Sequence, residues 1–118
     1  MTTPPGKHYF TLYQGATFSH LITWKDENGA LIDLTGYSAR MQAREEIESE
    51  SAFLDLTTEN GGITLGGEDG TIALFMAAED TANVAVSKGI YDLEIISPDG
   101  FVTRLLAGKL CVSKEVTR

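Results

Sequence analysis

A chain of 118 residues with 42% hydrophobic and 22% charged side chains has the size and make-up of one globular domain, able to bury a core without disulfides or metal and too apolar to be disordered over most of its length. Seventeen acidic against nine basic side chains leave a net charge of −8, which repels phosphate backbones and anionic lipid and so disfavours nucleic acid and membrane as partners. The single cysteine, Cys111, excludes an intrachain disulfide, and its place between Leu110 and Val112 predicts a buried structural thiol rather than a nucleophile.

Residues 1–7 hold two of the three prolines and are expected to form an extended arm ahead of a single domain over 8–118. The start has no apolar run of the kind a secretory signal needs, and no later run approaches a membrane span, so synthesis in a cytoplasm is expected. His8 to Tyr13 is aromatic and β-prone. Thr17 to Trp24 predicts a strand with Phe18, His20, Ile22 and Trp24 on one face, and Lys25 to Gly29 a reversal whose Asn28-Gly29 favours positive φ. Ala30 to Asp33 is expected to return as a short strand.

Tyr37 to Arg44 alternates cleanly: Tyr37, Ala39, Met41 and Ala43 share one face, and Ser38, Arg40, Gln42 and Arg44 the other. Glu45 to Glu50 is acidic and fits either a helical turn or an exposed loop. Phe53 to Thr57 and Ile63 to Leu65 are short strands, separated by the Asn60-Gly61-Gly62 turn. After the Gly66 to Gly70 turn, Thr71 to Met76 points Ile72, Leu74 and Met76 inward. The alanine-rich Ala77 to Val86 predicts a connecting helix of about two turns. Gly89 to Ile96 is a strand with Tyr91, Leu93 and Ile95 on one face, and Ser97-Pro98-Asp99-Gly100 is a hairpin turn. Phe101 to Ala107 and Leu110 to Ser113 complete the ladder, with Gly108 as a candidate bulge or bend. About eight short strands and one short helix predict an all-β fold, an immunoglobulin-like antiparallel sandwich in which Trp24 could fill the central position without a disulfide.

Catalytic constellations are hard to build from these residues. The glycines around Gly61 to Gly70 have turn spacing and not the spacing of a phosphate-binding loop. His8 and His20 have no partner at metal-ligand spacing, and His20, set between Phe18 and Ile22, is expected to be a partly buried, hydrogen-bonded residue. The run Glu45, Glu46, Glu48 and Glu50 lacks the interleaved pattern of a calcium loop, though a structural cation there or near Glu68-Asp69-Gly70 stays open. Asp92 and Glu94 share a strand face with Ile90 and Ile96, with no sign of a sugar cleft. No catalytic, metal or cofactor residue is therefore assigned, and the chain is expected not to be an enzyme. The aromatic cluster Tyr9, Phe10, Tyr13, Phe18 and Trp24 fits either a core or contact anchors.

The order Gln14-Gly15 through Phe18, Ile22 through Asp26, Asn28 through Tyr37 and Ala39 through Arg44, followed by Gly89 through Ile95, Ser97 through Gly100 and Arg104 through Gly108, resembles small tailed-phage structural proteins. It is similar to the N-terminal domain of the phage baseplate upper protein family over roughly residues 10 to 117. The resemblance implies a non-enzymatic, immunoglobulin-like virion protein, made in the host bacterial cytoplasm, that joins tail, baseplate or fibre components in a multi-copy symmetric assembly. This chain carries no fibre-forming extension, so a free-standing module is expected, with neck, collar and capsid surface also open. Pro4, Pro5, Lys7, Tyr9 and Phe10 are the expected contacts with other virion proteins. The alternatives are a capsid or neck decoration protein, or a carbohydrate- or host-surface-binding module using Tyr37, Glu45 and Glu68.

Overall fold

Two-residue alternation resolves into nine strands in a computed structural model that describes residues 5–117. In chain order they are β1 (Gly6–Lys7), β2 (Phe10–Tyr13), β3 (Phe18–Thr23), β4 (Ser38–Arg44), β5 (Leu54–Thr57), β6 (Ile63–Leu65), β7 (Thr71–Met76), β8 (Lys88–Ile96) and β9 (Val102–Ser113). A single helical turn, α1 (Ala78–Thr81), joins β7 to β8. The larger sheet runs β1-β9-β8-β4-β5, with β2 also on β9, and the smaller runs β3-β7-β6.

The two sheets close on one apolar core because each strand turns its alternate residues inward. From the larger sheet come Ala39, Met41 and Ala43 on β4 and Tyr91, Leu93 and Ile95 on β8. From the smaller come Ile63, Ile72 and Leu74. Full burial of one such leucine or isoleucine is worth roughly 1.5–3 kcal/mol, so the pattern specifies register as well as stability. The all-β sandwich expected from the sequence is the fold observed. The Ser97–Gly100 hairpin also forms as expected, with Gly100 at φ 88° and Ser97 N–H bonded to the Phe101 carbonyl at 2.9 Å.

One edge is not antiparallel. β1 and β2 run parallel to β9, in one register from Gly6↔Leu106 to Tyr13↔Ser113. No hairpin sets the direction of this segment, because the rest of the domain serves as the crossover that a parallel pair requires. Gly6 and Lys7, the end of the expected arm, thus belong to the sheet, while residues 1–4 lie outside the described residues. The strand breaks at His8–Tyr9, opposite Gly108. A Cβ on Gly108 would come within 2.4 Å of the His8 carbonyl oxygen, so the glycine, a candidate bulge or bend, admits a close backbone approach and carries no register shift. The register shift falls instead at Leu93/Glu94, where Leu105 is the extra residue of an otherwise continuous twelve-residue β9.

Other expectations need correction. Cys111 is exposed, since Leu110 and Val112 take the inward positions and the residue between them must face out. Trp24 is half-buried at the rim, past the end of β3, where its N–H bonds to Gly70 and its carbonyl accepts from Ile32. The core centre is aliphatic instead. Ala30 to Asp33 forms no strand beyond the single bridge Lys25↔Leu31; the Asp26 carboxylate closes the loop by accepting from the N–H groups of Asn28 and Ala30, both at 2.9 Å. The expected two-turn helix is one turn. Its last residue, Thr81, is buried and holds the Gln14–Ala16 turn, and the chain then extends so that Val84 reaches the core.

Candidate protein interface

The N-terminal segment is built to present some side chains and bury others. His8 is fixed by two backbone contacts: its N–H donates to the Ala107 carbonyl at 3.3 Å, and the Tyr91 hydroxyl donates to its carbonyl at 2.7 Å. Burial pushes the Tyr91 phenol up to about 12, which keeps it a donor. Phe10, next along, is only 4% exposed, with its ring 5.7 Å from Phe18 and 5.1 Å from Tyr91. It is a core residue and not an external contact. Pro5 is half-buried, Lys7 is exposed, and Tyr9 is 73% exposed, so these three remain on the surface; Pro4 lies outside the described residues.

Pro5, Lys7 and Tyr9 form one wall of a groove of about 640 Å³ on the outer face of the larger sheet. Its floor comes from β8 and β9, where Ile90 lies opposite Lys109 and Asp92 opposite Ala107. Arg44 and Ile47 close the far side. Arg44 donates to Gln42 Oε1 and to the Ser49 carbonyl, both at 2.9 Å, which folds the 45–50 loop back so that Ile47 reaches the groove. That loop is exposed coil, with Ser49 Oγ accepting from Glu46 N–H at 3.1 Å. The sequence puts Ile90 and Asp92 on one strand face and Gln42 and Arg44 on another, but does not bring the two together with Ile47, Arg104 and Lys109. Their adjacency is a matter of strand register, and no local motif marks it.

A second depression of about 490 Å³ is lined by Asp55, Asn60, Phe75 and Asp80 among others, and its lining holds two carboxylates and no basic side chain among the described residues. The remaining candidates do not converge on chemistry. His20 lies 5.3 Å from His8 and 4.9 Å from Phe10, ring to ring, and its pKa is lowered by burial and then by His8. Glu94 pairs with Arg40 at 2.7 Å and Asp92 with Arg104 at 3.6 Å, so the two carboxylates of this strand each face an arginine. Glu45 and Glu68 are exposed on separate loops, and Tyr37 packs half-buried against the core. Among the described residues no group of three or more His, Cys, Asp or Glu could hold a metal ion, and no helix is long and apolar enough to cross a membrane.

Two sheets of this connectivity around one core define an immunoglobulin-like sandwich. No known protein family matches the chain, and no curated protein does. Solved structures do. The N-terminal domain of phage TP901-1 ORF48 matches with a TM-score of 0.56 and 17% identity over 96% of this chain and 92% of that one. The extracellular domain of the voltage-gated sodium channel β4 subunit matches at 0.50, with 11% identity and 98% of each chain covered. A chicken TCR matches at 0.53, with 10% identity over 94% of this chain and 56% of that one. Identities this low establish a common fold.

Proposed function

We propose that this chain is a non-enzymatic structural adaptor of a tailed-phage virion, joining tail, baseplate or fibre components through protein contacts centred on Lys7, Tyr9 and the groove beside them. The observation that carries this reading is the likeness to a phage protein domain along almost the full length of both chains. The chemistry of the surface agrees: a sandwich docks through faces and edges without any catalytic group. His20, the residue best suited to acid–base work, has its ring beside those of His8 and Phe10.

The test is mass spectrometry of gradient-purified particles of the phage that encodes the chain, with and without Tyr9→Ser. The wild-type chain should be present at a fixed copy number per particle. Tyr9→Ser, altering an exposed side chain, should fold normally and be incorporated less. Absence of the wild-type chain from particles would sink the proposal.

A further inference from the structure

We infer that the groove on the outer face of the larger sheet is a docking site for a short acidic peptide segment that carries an apolar side chain. The inference rests on the adaptor reading above and names the kind of partner it would engage.

Charge is the first ground. The chain is acidic, yet Lys7, Arg44, Arg104 and Lys109, four of its nine basic residues, line this one groove, against Asp92 alone of its seventeen acids. Asp92 is itself faced by Arg104 at 3.6 Å. Lys7, Arg44 and Lys109 have no carboxylate within ion-pair distance among the described residues. Positive potential gathered in a concave site of an otherwise negative protein attracts an anionic segment, while the net charge of −8 that every copy carries opposes the pairing of two whole chains.

Apolar surface is the second. Ile47 is 77% exposed, and with Tyr9 it flanks a floor that includes Ile90 and Ala107. Ile90, paired between Arg44 and Lys109, with Tyr9 and Ile47 on the walls, sets apolar surface beside cations, as a peptide anchor site needs. The wall is also preorganised, because the two backbone contacts at His8 and the close approach at Gly108 fix Lys7 and Tyr9 before any partner arrives.

The length of the occupant follows from the surroundings. Glu45, Glu46 and Glu48 flank Ile47 in the loop and are exposed. A long polyanion leaving the groove would run along these carboxylates, whereas a short acidic segment would not.

Fluorescence anisotropy on the full chain tests this, using a fluorescein-labelled, end-blocked pentapeptide in which glutamates alternate with leucine and phenylalanine. It should bind, should weaken as salt rises, and should weaken about tenfold or more in Lys7→Glu with Lys109→Glu, as expected for reversing two charges at a rim. Lys25→Glu, away from the groove, should change nothing. Ile90→Ser keeps every charge and should also weaken binding, which separates anchoring from simple attraction. No binding at about 1 mM, equal binding of the same peptide with lysines in place of glutamates, or equal binding of a heparin oligosaccharide would each overturn the inference. A chain present in particles that fails to bind the peptide would remove the groove assignment and leave the adaptor function. A chain that binds the peptide but is absent from particles would do the reverse.

Discussion

The two outer faces of the sandwich differ far more than the two inner ones. The smaller sheet shows solvent Ser19, Leu21 and Thr23 on β3, Ala73 and Phe75 on β7 and Thr64 on β6, and none of its three strands contains a lysine, arginine, aspartate or glutamate. The larger sheet shows rows in which Arg44, Ile90 and Lys109 lie side by side, then Gln42, Asp92 and Ala107, then Arg40, Glu94 and Arg104. Inside, both sheets offer buried apolar side chains to one core. The fold thus draws equally on both sheets, while the side chains able to discriminate between partners are concentrated on one. An exposed apolar residue has a different setting on each face: Leu21, 62% exposed, sits beside Ser19, Thr23 and Ala73, whereas Ile47 lies between the loop glutamates and the cationic groove.

If the inner faces are equivalent, truncating either should cost the same. Leu93→Ala on β8 and Leu74→Ala on β7 remove side chains that are buried in the one core. Each should lower unfolding free energy by roughly 2–5 kcal/mol, read from urea denaturation, while Leu21→Ala should stay within about 0.5 kcal/mol. A small loss for Leu74→Ala beside a large one for Leu93→Ala would mean that the smaller sheet is only loosely docked.

Next in size is the joint between α1 and the start of β3. The buried Thr81 hydroxyl accepts from Gly15 N–H at 3.0 Å and lies 2.9 Å from the Ala16 carbonyl and 3.0 Å from that of Ala78. Thr81→Val keeps the shape and strands these groups, which should cost roughly 1–3 kcal/mol. A neutral result would show that water or a backbone shift satisfies them.

How much of this the sequence disclosed depends on the side of the sheet. Inward positions such as Ala39, Met41 and Ala43, or Tyr91, Leu93 and Ile95, are legible because burial forces an apolar residue at every second place. Outward positions obey no such rule. Arg44, Ile90 and Lys109 are far apart in the chain and become neighbours only through pairing, so no motif could reveal the groove. The hydrophobicity of Leu110 and Val112 suggests a buried Cys111, yet the period of two that buries them places the thiol outside. Phe10 teaches a related lesson: aromatic content marks both cores and contacts, and only the pairing of β2 with β9 sets Phe10 inward and leaves Tyr9 out.

The wall of the groove offers a smaller effect specific to one face. Tyr91→Phe deletes the bond to the His8 carbonyl and should cost about 1 kcal/mol, with faster amide exchange of the N-terminal segment. Alkaline stability gives a second readout. The folded phenol titrates at about 12 against an ordinary 10, so the unfolded chain loses its proton first and the wild type loses stability as pH rises above 10. Tyr91→Phe should lack that part of the loss.

The smallest effect lies at the seam where the two sheets meet. His20 points inward from the smaller sheet onto His8 and Phe10 of the segment attached to the larger one. Burial, and after it His8, lowers its pKa below the ordinary 6.5. The unfolded chain therefore binds a proton near 6.5 that the folded chain still refuses, and stability falls as pH drops through that value. The full contribution is present above it. The lowered carboxylates Asp33 and Asp99 act in a separate window, below the ordinary carboxylate value of 3.8. Urea midpoints at pH 7.5 and 5.5 should thus differ in the wild type and converge in His20→Gln. An undiminished difference in that variant would assign the pH response to another group.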